Sequence, residues 1–367
     1  MKREEYLKKY ALLLVEYSLS LKKGERLFIQ STTLAEPLVR EVYKEALKVG
    51  ASVDVKLEFE GQSDIFNSHA EESQLLHICP TTKKAMEEYE AYLHIRAPFQ
   101  LKSKHQLSPE KEKIRQQAMK PIQSIYFDRT ADLRLKRTLC QFPTEASAQE
   151  AGMSLEDYEH FIFKACKLEH TDPKMAWLDL RKNQQKIVDY LNKCSEIQFK
   201  GPTVDLKFST LGRKWINSDG QTNMPSGEVY TSPVEDSVDG HILFSFDSIY
   251  RNNEVKEVSL EVKDGEIKSW DASDGKDFLD KIFEIPGTRR FGEAAIGTNY
   301  DIDRITKNIL FDEKIGGSIH LAIGQSYKQA GGKNVSSVHW DMITDMTNGG
   351  TIFADGQKVY ENGNFLI

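Results

Sequence analysis

Cysteine is sparse in this 367-residue sequence, and its distribution excludes several classes of protein. The four cysteines (Cys79, Cys140, Cys166 and Cys194) are widely separated and include no Cys-x-x-Cys pair. This spacing excludes a zinc ribbon and argues against a disulfide framework, in keeping with a reducing compartment.

Basic residues are also in short supply, because 49 Lys and Arg face 56 Asp and Glu, for a net charge of -7. Proteins that bind nucleic acid depend on a basic field, so we expect no nucleic-acid partner. The sequence contains no long basic run or basic aromatic stripe that would favour binding to a membrane surface.

Long apolar runs are missing as well. The apolar stretch at residues 11–15 is stopped by Glu16, too soon for an export signal or a membrane span. We therefore expect a cytoplasmic protein without a membrane partner. Nucleotide-binding motifs are absent too, since neither a G-x-G-x-x-G after the first strand nor a Walker loop occurs.

Hydrophobic residues make up 39% and charged residues 29% of the chain, as in an ordinary globular protein. The length favours two domains. The composition changes near residues 199–202, so we predict an α/β domain at residues 1–199. A metal-binding catalytic domain is predicted at residues 200–367.

The first domain begins with an amphipathic helix predicted at residues 3–21. A strand at 26–30, a helix from about 34 to 49 that ends at Gly50, and a strand at 52–59 follow. Strand, helix and strand in this order indicate a βαβ unit and a largely parallel sheet. Further helices are predicted at 81–90, 108–119, 154–167 and 175–195, the third with Ser154 as its N-cap.

The second domain is rich in strands and turns centred on glycine. Strands are predicted at residues 204–209, 241–246, 257–263 and 266–270. Hairpin turns are predicted at Asp264-Gly265 and Asp355-Gly356. Residues 217–230 are interpreted as a polar connecting loop that ends where Glu228 enters a strand. Together these patterns predict an α+β, strand-rich catalytic domain.

Two strands near the C-terminus carry candidate metal ligands. Residues 318–323 alternate in the way typical of a half-buried strand, with His320 on the less apolar face. The spacing of His339 and Asp341 points both side chains the same way from a second strand. The motif itself is weak, because three His-x-acid matches occur (beginning at His69, His170 and His339) where about one or two are expected by chance. A lone His320 is more often a hydrogen-bonded structural histidine.

Two glutamates could complete such a site. Glu228 begins an apolar stretch, and Glu293 lies among small and apolar residues. A buried carboxylate needs a partner because an unpaired buried charge is costly. An arginine is the ordinary partner, and a metal ion is the alternative.

Several motifs carry a family resemblance. They include Phe-Gly-Glu-x-Ala-Ile-Gly-Thr-Asn at 291–299 and His-Trp-Asp at 339–341, with residues 223–240, 308–322, Tyr327 and 331–334. In this order they closely resemble the aminopeptidase T / aminopeptidase S family of metallo-aminopeptidases. The resemblance extends to residues 142–156 and the first βαβ unit, and so covers nearly the whole chain. The chain is shorter than typical members, a difference we place in the middle of its N-terminal half.

The resemblance implies two divalent metal ions per chain. It implies as their ligands Glu228, Glu293, His320, His339 and Asp341, with Tyr327 beside them. The mixed nitrogen and oxygen ligands suit zinc, cobalt or manganese. We expect Glu293 to bridge the ions, and either Glu293 or Glu228 to act as the base. Tyr327 is expected to ligate a metal or to donate to the oxyanion.

The function implied is that of a metal-dependent aminopeptidase that removes N-terminal residues from short peptides, as a homodimer formed through the C-terminal domain. One alternative is a catalytically silent relative that binds peptides, although the intact ligand positions argue against it. Another alternative is a two-metal hydrolase of non-peptide amides.

Overall fold

The computed structural model describes residues 2–101, 105–251 and 253–367. The chain divides into two compact units, Met1–Lys174 with Gly220–Pro225, and Met175–Asp219 with Ser226–Ile367. The boundary that the sequence places between residues 199 and 200 falls inside a strand, Glu196–Gly201, and the division into functional domains stays a prediction. No helix of the described ranges has the length and apolarity needed to cross a membrane.

Helices and strands alternate in the first half of the chain, and strands dominate the second. The α-helices described are α1 Arg3–Leu12, α2 Glu36–Val49, α3 Gln62–His69, α4 Glu72–Leu76, α5 Pro80–Glu88, α6 Pro109–Ala131, α7 Glu145–Glu150, α8 Leu155–Ala165, α9 Pro173–Leu191, α10 Lys276–Phe283 and α11 Ile309–Asp312. The strands of the first unit are β1 Arg26–Thr32, β2 Ser52–Glu58, β3 Ala91–Arg96, β4 Lys136–Gln141 and β8 Asn223–Met224. The strands of the second unit are β5 Glu196–Gly201, β6 Val204–Ser209, β7 Ile216–Ser218, β9 Glu228–Thr231, β10 Asp239–Leu243, β11 Ser248–Tyr250, β12 Asn253–Val255, β13 Ser259–Lys263, β14 Glu266–Asp271, β15 Phe291–Gly297, β16 Ser318–Gly324, β17 His339–Asp345, β18 Thr351–Ala354, β19 Gln357–Glu361 and β20 Asn364–Phe365.

The first unit is built on a parallel sheet of strand order β2-β1-β3-β4-β8. The predicted βαβ unit is confirmed, since β1 and β2 pair in parallel and α2 connects them. Helix α2 ends at Gly50, whose φ of 87° is left-handed and suits glycine. Ser154 caps α8 as predicted, because its hydroxyl oxygen accepts a hydrogen bond from the Asp157 backbone N–H at 3.1 Å.

Two helices differ from their predicted lengths. The α-helix predicted at residues 3–21 stops at Leu12 and continues as a π-helix, Leu13–Ser18, where consecutive apolar residues are buried. A single amphipathic face does not bury such a run. Helix α6 continues through Pro121 to Ala131, well past the predicted end at residue 119. Its C-terminal half packs Ile122 into a buried cluster with Phe28, and this packing outweighs the proline signal.

The loop predicted at residues 217–230 is also only partly right, because β7 extends into it and β8 and β9 begin within it. Strand β8 lies in the middle of this segment and pairs in parallel with β4 of the first unit. Met224 is fully buried there. Glu228 is the first residue of β9, as predicted.

The second unit contains an eight-stranded sheet, β14-β13-β10-β6-β5-β18-β19-β20, and a five-stranded sheet, β17-β16-β15-β9-β7. Both are antiparallel and contribute to one hydrophobic core. The predicted turns at Asp264-Gly265 and Asp355-Gly356 connect antiparallel neighbours, so both hairpins are confirmed. Strand β16 is buried on both faces, not half-buried as predicted, because Ile319 and Leu321 lie in the core while His320 faces other buried side chains.

Candidate metal centre

The five-stranded sheet of the second unit brings acidic and imidazole side chains onto one face. Glu293 on β15 pairs with Ala322 on β16, which pairs in turn with Asp341 on β17. His320 and His339 each lie two residues before a member of this row. Side chains two residues apart in a strand point to the same face. His320 and His339 therefore project beside Glu293 and Asp341.

Glu228 reaches the same face from β9, on the other side of β15. It pairs with Gly297, and its backbone carbonyl accepts a hydrogen bond from the Gln184 side chain at 3.0 Å. Ala295 and Ala322 occupy the positions between the polar side chains on this face. Their small size leaves space among the carboxylates and imidazoles.

Glu293 lies at the centre of the cluster. Its Oε2 atom is 3.1 Å from His339 Nε2, and its Oε1 atom is 3.8 Å from His320 Nε2. It belongs to two groups whose potential ligand atoms lie within 4.8 Å of one another. These groups are Glu228–Glu293–His320 and Glu293–His339–Asp341. One carboxylate thus has an oxygen available to each group.

Several polar atoms of the cluster are buried without a hydrogen-bond partner. They are Oε2 of Glu228, Oδ1 of Asp341 and both ring nitrogens of His320. A buried polar atom without a partner costs free energy, and such atoms are rare in folded proteins. Carboxylate oxygens and imidazole nitrogens together are suitable ligands for divalent transition metals. A metal ion would satisfy these atoms, so the residues present fit the metal site that the sequence predicted.

A hydrogen bond to the backbone fixes the orientation of the His339 ring. Its Nδ1 atom lies 2.8 Å from the backbone carbonyl oxygen of Gln325, which can only accept, so Nδ1 carries the proton. In the neutral imidazole, Nε2 then has its lone pair directed at the cluster, which is the tautomer expected of a metal ligand. The hydroxyl of Tyr327 is 3.3 Å from the same Nε2 atom. The His339 side chain is 26% exposed, whereas those of Glu228, Glu293 and His320 are buried.

Burial and the acidic neighbours shift the pKa values of the metal-free cluster. Burial lowers the pKa of His320, but Glu293 and Glu228 outweigh it and raise the pKa to about 9. Burial also opposes protonation of His339, but Asp341 and Glu293 raise its pKa to about 12. Glu293 and burial raise the pKa of Tyr327 well above its usual value, so its hydroxyl keeps its proton. The cluster therefore favours positive charge, and the Tyr327 hydroxyl can donate a hydrogen bond.

The sequence interpretation missed two residues beside the cluster. Glu313 and Lys314 follow α11, and Lys314 is fully buried with its Nζ atom 3.3 Å from Oε1 of Glu228. Lys314 also forms an ion pair with Glu313. Glu313 belongs to a third group of potential ligands with His320 and Asp341. In the sequence, only their position inside the family motif at residues 308–322 could have indicated a role in the site. A triplet of Asp, Glu and Lys is otherwise typical of a solvated surface.

All five predicted ligands and Tyr327 come together in the second unit. The other two His-x-acid matches do not join them. His69 and His170 are exposed, and neither belongs to a candidate metal group found among the residues that the structure describes.

Comparison with known proteins identifies the family. The model of the thermophilic metalloprotease (M29) family matches residues 3–365. The chain belongs to this family. It is accordingly a peptidase, a hydrolase of peptide bonds, and the predicted family and enzyme class are confirmed.

Curated relatives match over nearly their whole length. Aminopeptidase 2 of Geobacillus stearothermophilus is 28% identical, with 99% of this chain and 98% of the relative covered. Aminopeptidase PepS of Streptococcus thermophilus is also 28% identical, with the same coverage.

Solved structures confirm the predicted fold class. Wild-type AmpT from Thermus thermophilus superimposes with a TM-score of 0.84 at 23% identity, and each chain is covered completely. A 2,5-dihydroxypyridine dioxygenase from Pseudomonas putida KT2440 superimposes with a TM-score of 0.56 at 14% identity, over 99% of this chain and 97% of that one. Because a dioxygenase shares the architecture, the reaction has to be argued from the site and the family.

Proposed function

We propose that this metal-dependent aminopeptidase removes N-terminal residues from short peptides, with a water molecule activated between two divalent ions. The observation that carries the proposal is the position of Glu293, whose two oxygens face two separate groups of ligands. Zinc, cobalt and manganese are the ions that suit these ligands. The names of the aminopeptidase relatives support removal of N-terminal residues.

In the proposed arrangement, Glu228, Glu293 and His320 would hold one ion, and Glu293, His339 and Asp341 would hold the other. Three of these ligands, Glu228, Glu293 and Asp341, are carboxylates, and together with one hydroxide they would balance the charge of two divalent ions. Paired divalent ions lower the pKa of water and stabilise the negative charge that develops on the attacked carbonyl oxygen.

The protein's own side chains complete the reaction. Glu293, or Glu228 if it shifts, takes the proton of the attacking water and passes it to the leaving amine. The Tyr327 hydroxyl keeps its proton and donates a hydrogen bond to the developing oxyanion. His339 is the most exposed of the proposed ligands and Tyr327 lies beside it, so we expect a peptide to approach the cluster from this side.

Hydrolysis of leucyl- and arginyl-anilides by the purified protein tests the proposal. We expect activity that a chelator abolishes and that zinc, cobalt or manganese restores, and no activity in Glu293→Gln or His339→Ala. An N-acetylated leucyl-anilide is the matched control and should resist cleavage, because an aminopeptidase requires a free α-amine. A wild-type protein that binds about two metals per chain but cleaves neither the anilides nor a panel of peptides would contradict the proposal.

The assembly and location are proposed on the family resemblance alone. We expect a homodimer formed through the C-terminal half of the chain and a cytoplasmic location. Light scattering of the purified protein measures the first, and a monomer at micromolar concentration would contradict it. Fractionation of the source cells measures the second.

A further inference from the structure

Lys314 is a fully buried cation beside the candidate metal centre. Its Nζ atom lies 3.3 Å from Oε1 of Glu228 and forms an ion pair with Oε1 of Glu313. Lysine is almost never fully buried unless it is paired, because its charge loses the solvation of water. The two carboxylates therefore hold the ammonium group in a fixed place.

The two oxygens of Glu228 have different surroundings. Oε1 faces Lys314, whereas Oε2 has no hydrogen-bond partner and lies 3.4 Å from Nε2 of His320. The contact with Lys314 thus fixes the rotation of the carboxylate. Only Oε2 is left free to face the metal ligands.

The main chain around Lys314 is tied to the segment that leads into β9. The Asn299 backbone N–H donates to the carbonyl of Lys314 at 3.0 Å, and the Asn299 side chain donates to the carbonyl of Ser226 at 2.9 Å. Ser226 lies two residues before Glu228. Lys314 and Glu228 are therefore held in register through their backbones as well as through their side chains.

We infer that Lys314 is a positioning residue that makes Glu228 a one-oxygen ligand of the ion shared with Glu293 and His320. The inference rests on the proposed two-ion site. Loss of Lys314 would let the Glu228 side chain rotate and would weaken the binding of this ion. The ion held by Glu293, His339 and Asp341 would be affected much less, because no ion pair links Lys314 to His339 or Asp341 among the described residues. Loss of a residue that orients a ligand typically weakens metal binding by about 10- to 100-fold.

A charge-balancing role for Lys314 predicts the opposite result. If the ammonium group only offsets acidic charge, its removal makes the cluster more negative and strengthens the binding of both ions. The double variant Lys314→Met/Glu313→Gln separates the two roles. It removes the ion pair between Lys314 and Glu313 as a whole, so the charge of the cluster changes less than in Lys314→Met while the contact with Glu228 is lost. Because Glu313 is itself a potential ligand, Glu313→Gln alone is the control for the loss of that carboxylate.

The experiment is a titration of the chelator-treated, full-length protein with Co²⁺, followed by calorimetry and by visible absorption. We expect two ions in the wild type. In Lys314→Met and in the double variant, we expect one ion of near-normal affinity and one bound about 10- to 100-fold more weakly, with an altered cobalt spectrum at the weaker site. The double variant is expected to fold better than Lys314→Met, because Glu228 is then the only buried carboxylate that loses its pairing with Lys314, whereas Lys314→Met leaves Glu313 unpaired as well.

The outcomes distinguish this inference from the proposed function. Wild-type protein that binds no cobalt overturns both. Two ions in the wild type and unchanged affinities and spectra in the double variant overturn the inference alone. Tighter binding of both ions in Lys314→Met, with no change in the double variant, shows that the residue only balances charge and also overturns the inference.

Discussion

The Oε2 atom of Glu293 lies 3.1 Å from Nε2 of His339, although their strands β15 and β17 are separated by β16. The Glu293 side chain therefore extends across its neighbouring strand, and its other oxygen still faces His320 at 3.8 Å. This reach is possible because Ala322, which lies between Glu293 and Asp341 in the register, has a side chain of a single methyl group. One carboxylate consequently belongs to both groups of potential ligands.

Glu293→Gln is expected to reduce peptidase activity by about 10³-fold or more, because it removes both the shared ligand and a candidate base. Bound metal should also fall below two ions per chain, as measured by elemental analysis. Glu266→Gln is the matched control, since Glu266 lies on the surface and pairs with Lys268. Normal activity and two tightly bound ions in Glu293→Gln would rule out its shared role.

The sequence could predict the local geometry of this site. Side chains in a strand alternate between its faces, so the spacing of two residues placed His339 and Asp341 on one face. The change from a polar segment to apolar residues placed Glu228 at the start of β9. Such patterns depend only on neighbouring residues. The membership of Glu228 and Glu293 in one ligand set came from the family resemblance, because spacing along the chain does not say which strands become neighbours.

Features that depend on distant contacts were not predictable from local patterns. Strand β8 is two residues long and is defined by its pairing with β4, more than eighty positions earlier in the chain. Lys314 lies in a charged triplet that resembles a surface segment, yet it is fully buried because Glu228 and Glu313 surround its ammonium group. Both features are set by tertiary packing.

Metal removal is expected to lower the thermal stability of the protein as well as its activity. Ions that bind only the folded state stabilise it by about 2.7 kcal/mol per site at one hundred times the dissociation constant. The unpartnered atoms of Glu228, His320 and Asp341 show where this stabilisation would arise. Thermal melts at several zinc concentrations measure the effect, and Glu293→Gln should respond less. A melting temperature that does not change with metal would argue against resident ions.

A pH effect is expected in the parallel sheet of the first unit. Burial, followed by the charge of Arg96, lowers the pKa of His94 on β3. The unfolded chain then binds a proton more readily than the folded protein does, so stability is lost as pH falls below about 6.5. Denaturant unfolding between about pH 7.5 and pH 5.5 should show a smaller loss in His94→Gln than in the wild type. Equal losses would show that His94 does not contribute.

Tyr327→Phe tests which of its two predicted roles Tyr327 has. Its hydroxyl lies 3.3 Å from Nε2 of His339, and its pKa is held well above the usual value by Glu293 and by burial. If the hydroxyl donates a hydrogen bond to the oxyanion, Tyr327→Phe should lower kcat by about 10²- to 10³-fold and leave KM and the metal content nearly unchanged. If the hydroxyl is a metal ligand, Tyr327→Phe should release one ion or lower the affinity for it. Steady-state kinetics and elemental analysis of the same sample separate the roles, and Tyr230→Phe, whose ring packs against that of Tyr327, is the control for packing.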